Sequence, residues 1–335
     1  MPALRTEITE IATGLAMLPF DSVEEGLGAR PPELVDVAEP RWERLAGAVT
    51  EPDYRRDFAN AWANGKAFLH ATEGLRGRRP LRIEWKGPHH TPGYDLLPAD
   101  LRIDHVFLVS CKYLSRVLAN PSPAHLFQRA LASRGDRSPV DWFLAAAPEA
   151  YRSFYGEVRA ALADEVALPE RVEALGAADR AAIKARCGRR WPPPLEAAYE
   201  EFSGAVSRAS ASTWAAAVPA LADREVLLWR LLRLTSAPYF ILGSRGDGHL
   251  RLRVATPADW RRRFALRSFD IVPRVGAQPG VDWLAAVADR ETAAPREVRG
   301  HVEVRWSHGR FCGFPEAKVY LDTPHREVPG YVEIA

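Results

Sequence analysis

Four side chains, Glu84, Asp95, Ser110 and Lys112, have types and spacing suited to joint chemistry if the strands that carry them pair. GYDLLPA and HVFLVSCKYL both read as strands. An antiparallel hairpin turning at Asp100 to Asp104 makes paired residue numbers sum to about 205, which sets Asp95 opposite Val109 or Ser110. Strand side chains alternate between faces, so Ser110 and Lys112 share one face. In the register that pairs Asp95 with Ser110, a carboxylate, a hydroxyl and an ammonium group converge. Glu84, on the short strand LRIEWKG, brings a second carboxylate to the same place. Carboxylates hold a hard divalent cation such as Mg²⁺ or Mn²⁺, which keeps several of its waters. One such water can become a nucleophile while the cation and a nearby lysine offset charge developing on phosphorus. The pattern points to phosphodiester hydrolysis without a covalent intermediate.

Gly93-Tyr94-Asp95 followed by Ser110-Cys111-Lys112 resembles the core motif of the PD-(D/E)xK nuclease superfamily, the fold of many restriction and repair endonucleases. The order helix, strand, strand, strand, helix between residues 54 and 134 is similar as well. The resemblance implies a restriction-endonuclease-like α/β core in which Asp95 and Glu84 bind Mg²⁺ or Mn²⁺, Lys112 orients or activates water, and Ser110 supports the site. Ser110 stands where the family carries Asp or Glu, so Glu84 is expected to take over the missing acid's role. The implied activity is a DNA endonuclease of restriction or anti-phage defence, with DNA as partner and a homodimer or larger defence complex as assembly. The serine equally fits a catalytically inactive relative that binds nucleic acid or serves as an assembly subunit. Glu84-Trp85-Lys86 is a second acid-x-Lys triplet, but no strand-borne Asp precedes it.

Stepping outward, helical spacing of Trp42, Leu45, Ala46 and Val49, then of Phe58, Trp62, Phe68 and Leu69, predicts helix over residues 39 to 75. From Pro121 the alanine-rich text predicts helix to about Leu234, broken near Arg134 to Pro139 and at Pro192 to Pro194. Beyond Pro238, YFILG, HLRLRVAT, RFALRSFDIV, HVEVRWS and AKVYLDT read as strands separated by Gly, Pro and Asp turns. The expected fold is therefore a mixed α/β chain in three serial parts. Residues 1–135 would hold N-terminal helices and the nuclease-like core, 136–235 a helical region, and 236–335 a strand-rich, DNA-holding part.

A basic cluster with an aromatic neighbour, Trp260, Arg261, Arg262 and Arg263, is the first candidate for gripping phosphates and stacking on a base. The stretch from Trp306 to Phe311 with Lys318 is the second. With 45 Lys and Arg against 43 Asp and Glu, the net charge of +2 supplies no global basic field, so nucleic-acid binding has to use such clusters. His89 and His90 adjoin Asp95, and the other histidines lack zinc-ligand spacing. Gly243 to Gly248 lies between strands and reads as a hairpin turn, not a phosphate cradle. The three cysteines, Cys111, Cys187 and Cys312, are widely separated and predict neither a disulfide framework nor a thiolate zinc site. No run reaches the roughly 18 apolar residues of a membrane span, and Glu7 and Glu10 interrupt any secretory signal, so a cytoplasmic protein with no membrane partner is expected.

Overall fold

A computed structural model describes residues 4–87, 99–113, 117–131, 140–188, 190–235, 237–245, 248–276 and 278–334. The chain is mixed α/β, as expected, and divides into two compact units, each assembled from separated stretches of sequence. The first comprises residues 1–115, 233–263 and 324–335; the second comprises 116–232 and 264–323. This differs from three serial parts, because strands of the C-terminal third are shared between the two sheets.

Helices and strands are numbered in chain order. The first unit contains helices α1 (Leu4–Leu15), α2 (Val23–Ala29), α3 (Glu39–Ala48) and α4 (Arg55–His70), with strands β1 (Leu34–Val35), β2 (Ile83–Trp85), β3 (Leu101–Ile103) and β4 (Phe107–Tyr113). Strands β6 (Tyr239–Arg245) and β7 (Gly248–Val254), helix α11 (Pro257–Arg263) and strand β12 (Tyr331–Glu333) complete it. Its seven-stranded sheet runs β1-β2-β3-β4-β6-β7-β12, parallel at β1/β2 and β4/β6 and antiparallel elsewhere. Helices α1 and α4 supply Ile8, Ile11, Leu15 and Phe68 to a core shared with Ile83, Trp85, Leu101, Val109, Phe240 and Leu242. Phe68 packs edge-on to Phe240 with ring centroids 4.8 Å apart, a favoured aromatic geometry. The helices approach closely at Gly65, where a Cβ would lie 2.2 Å from the Thr13 carbonyl oxygen. LRIEWKG and HVFLVSCKYL form β2 and β4 as expected. GYDLLPA lies almost wholly outside the described residues, and the strand between β2 and β4 is instead built from Leu101–Ile103.

The second unit holds β5 (Val117–Ala119), helices α5 (Pro123–Phe127), α6 (Trp142–Ala146), α7 (Pro148–Ala161), α8 (Ala177–Cys187), α9 (Pro193–Ala217) and α10 (Arg224–Leu231), and strands β8 (Phe264–Pro273), β9 (Gly280–Asp289), β10 (Pro295–Arg305) and β11 (Glu316–Leu321). The expected helical middle is present. The five strands form an antiparallel sheet, β5-β11-β10-β9-β8, packed on α9. Strand β9 went unread in the sequence because alanine fills half its outward positions, yet Val281, Trp283, Ala285 and Val287 alternate inward with the period of a strand. Among the described residues, no helix is long and apolar enough to cross a membrane.

Candidate functional site

The hairpin of β3 and β4 determines which carboxylate meets Ser110. Leu101 pairs with Val109 and Ile103 with Phe107, so the turn falls at Asp104 and His105, both with positive φ (49° and 59°). Asp and His tolerate that region better than most residues, and the Asp104 carboxylate accepts hydrogen bonds from the backbone of Leu81 and Arg82 at 2.7 and 3.0 Å. The expected turn at Asp100 to Asp104 is thus displaced toward the C-terminus. Asp100, not Asp95, comes opposite Ser110; Asp95 itself lies outside the described residues, as do His89 and His90. The Ser110 hydroxyl donates to Asp100 Oδ2 at 3.1 Å, and the Cys111 backbone N–H donates to the same oxygen at 2.6 Å. Carboxylate and hydroxyl meet as the hairpin reading anticipated, through a different aspartate.

A second acid arrives from α1. This helix is buried on all sides from Glu7 to Leu15, and Glu10 is only 7% exposed. Its Oε2 accepts a hydrogen bond from the Trp85 indole N–H at 2.6 Å, and the Arg41 guanidinium lies 5.1 Å from the centre of that indole ring. Arg41 and Arg44 both bind the fully buried Glu7. Burial is the largest influence on Glu10 and the Asp100 carboxylate the next; together they push its pKa up to about 8, against the Trp85 hydrogen bond and the positive charges of Lys112 and Arg41. Glu10, Asp100 and Lys112 therefore share one electrostatic neighbourhood. The Cys111 thiol, pushed well up by burial and then by Asp100 and Glu10, is held protonated and is no nucleophile. Tyr239 bonds to Ser110, and burial raises its phenol to about 12. Sequence reading missed Glu10, although a charge beside the ten uncharged residues Ile11 to Phe20 marks an acid at the edge of a buried helix.

Glu84 does not join this group. It shares a row of the sheet with Arg102 and Leu108, two rows from Ser110. Its carboxylate is bound by Arg102 Nε and Nη2 at 2.5 and 2.8 Å, with Arg82 at 3.5 Å and His105 at 3.3 Å. That bidentate pairing commits Glu84 to cations of the chain itself and removes it from the metal-ligand role expected of it. The aromatic of the basic cluster is likewise misassigned: Trp260 is fully buried and donates its indole N–H to the Pro329 carbonyl at 3.1 Å, so it cannot stack on a base. Arg261, Arg262 and Arg263 are exposed, with Arg262 3.4 Å from Asp259. In the second unit, Phe311 is buried against Trp306, Arg310 lies over Trp191 at 3.5 Å, and Lys318 pairs with Glu316 at 2.7 Å. Trp306 and Phe311 of that stretch thus contribute to an aromatic core, while Ser307 and His308 between them are exposed. Among the described residues no group of three His, Cys, Asp or Glu side chains is arranged to hold a metal ion. No protein-family model matches the chain, and no curated protein or solved structure matches it.

Proposed function

We propose that the first unit is a metal-dependent endonuclease of DNA in which Glu10 and Asp100, with Lys112, form the reactive group. The observation that carries this reading is that the charges of Asp100 and Lys112, from the β3–β4 hairpin, both act on the buried carboxyl of Glu10, from α1. Burial first, and then the charge of the half-buried Asp100, disfavour the ionised form of Glu10, which responds by holding its proton. A hard divalent cation would offset that charge. It prefers oxygen donors and retains waters, so two carboxylates suffice for it. Glu10 and Asp100 are the residues that would hold such a cation, their described contacts being with Trp85 and with Ser110 and the Cys111 N–H. When bound, Mg²⁺ or Mn²⁺ would supply Lewis acidity and an acidified water. The chain's own groups do the rest. Lys112 offsets negative charge on the phosphate, Ser110 and the Cys111 N–H hold Asp100 in place, and Trp85 holds Glu10. Glu10 thereby stands in for the acid that Ser110 replaces.

A second reading, a catalytically inactive nucleic-acid-binding or assembly subunit in a defence complex, is favoured by one observation: Asp100 already has two donors on one oxygen, as a purely structural carboxylate would. A cleavage assay on plasmid and single-stranded DNA with Mg²⁺ or Mn²⁺ separates the two. Nicking that requires metal and disappears in Lys112→Ala and Asp100→Asn supports the nuclease. Absence of cleavage by folded wild-type protein on every DNA tried leaves the inactive relative.

A further inference from the structure

We infer that Asn64 is a positioning residue for Lys112, which it places through the backbone of Gly243; the inference rests on the nuclease reading of the Glu10–Asp100–Lys112 group. Asn64, in α4, is 1% exposed. Its amide Nδ2 donates to the Gly243 carbonyl at 3.0 Å, and its Oδ1 accepts from Arg251 Nε of β7 at 2.9 Å. A buried amide is costly unless its donor and acceptor are both used, and here both are.

Gly243 is the β6 residue paired with Lys112 across the parallel β4/β6 ladder. A Cβ on it would lie 2.3 Å from the Lys112 carbonyl oxygen and 3.0 Å from the Lys112 Cβ. The two strands therefore run closer at this point than any residue with a side chain permits, and the obstacle is backbone, which cannot swing aside. Holding the Gly243 carbonyl holds Lys112. The same turn of α4 also fixes the helix that bears Glu10. The Thr13 hydroxyl, which donates to the Thr9 carbonyl at 2.6 Å, lies 3.2 Å from the Ala61 carbonyl, and a Cβ on Gly65 would meet the Thr13 carbonyl oxygen at 2.2 Å and the Ala16 Cβ at 2.6 Å. Residues 61 to 65 thus contact α1 on one side and the Lys112 strand pair on the other, and so fix the backbone that carries Lys112 relative to α1. A displacement of about 1 Å at a reacting group can cost about 100-fold in rate.

The test reads Lys112 directly, without requiring activity. Full-length protein is treated with a small amine-acylating reagent, and the rate at Lys112 is followed by mass spectrometry against Lys184 and Lys318, two of only five lysines in the chain. Asn64→Ala and Gly243→Ala are expected to change the Lys112 rate severalfold and to leave Lys184 and Lys318 unchanged. Asn64→Asp keeps an acceptor for Arg251 but loses the donor to Gly243, so it is expected to behave as Asn64→Ala. If Asn64→Ala loses its cooperative thermal transition, Asn64→Ser is measured in the same way. An unchanged Lys112 rate in the folded variants overturns the inference, as does wild-type behaviour of Asn64→Asp, which would reduce Asn64 to a partner for Arg251. With cleavage as a second readout, kcat is expected to fall about 10- to 100-fold with KM unchanged. Altered labelling in a wild-type background that never cuts DNA would sink the nuclease reading alone, whereas cutting with unaltered labelling would sink the positioning role alone.

Discussion

The two ends of the β2–β3–β4 sheet hold carboxylates, Glu84 and Glu10 buried and Asp100 half-buried, in different surroundings. At the turn end, Glu84 is embraced by Arg102, with Arg82 and His105 behind it. At the other end, Glu10 bonds to Trp85 and feels the charges of Asp100 and Lys112, and burial with Asp100 pushes its pKa up to about 8. A carboxylate bound by cations of its own chain is a structural element; Glu10 is instead pushed toward its neutral form by burial and by Asp100. Of these three acids, Glu84 is the one most committed to the chain's own cations.

The sharpest way to break this comparison is Lys112→Ala, expected to lower metal-dependent cleavage by about 100- to 1000-fold in kcat, in line with the loss of a charge-stabilising group, while the melting temperature stays near wild type. Next comes Glu84→Gln. It strands Arg102 beside a neutral partner, and a loss of about 3 kcal/mol in urea unfolding is expected, with cleavage per folded molecule retained. Loss of cleavage in folded Glu84→Gln would move the site to the turn end. A smaller effect follows from Glu10, whose native pKa of about 8 exceeds its ordinary 4.5. The native protein then retains a proton that the unfolded chain releases, so this contribution is complete below pH 4.5 and fades as pH rises toward 8. Metal-free wild type should lose melting temperature across that interval, Glu10→Gln should lack that component, and Mg²⁺ should recover part of the loss at the alkaline end. Smallest of all, Arg262→Ala, at an exposed helix end, should change stability by less than about 0.5 kcal/mol. A much larger loss of DNA affinity than of stability would restore that helix as a contact surface.

The elements were more legible in the sequence than their meeting points. Periodicity marked α3, α4, β4 and the terminal strands because hydrophobic spacing is a local property. The hairpin register was not local enough. Its turn contains neither Gly nor Pro, and Asp104 and His105 adopt positive φ where Asp100 looked the better turn former. A shift of a few residues there exchanged one aspartate for another. Glu10 was harder still: its nearest described partners, Trp85 and Asp100, lie far along the chain, and only the fold brings them together. Trp260 misled for the reverse reason, since an aromatic beside three arginines reads as a binding surface until its burial is seen.

The sheet of the first unit draws strands from residue 34 to residue 333, interrupted by the whole of the second unit. During synthesis, α1 and the β3–β4 hairpin leave the ribosome long before β6, β7 and β12 exist. Until those strands arrive, β4 has an open edge and Lys112 lacks its Gly243 neighbour. Contacts of such sequence separation are closed late and slowly. The strand pair that flanks Lys112 is consequently closed only after most of the second unit's helices have been made, so the order of synthesis sets when this part of the sheet is complete.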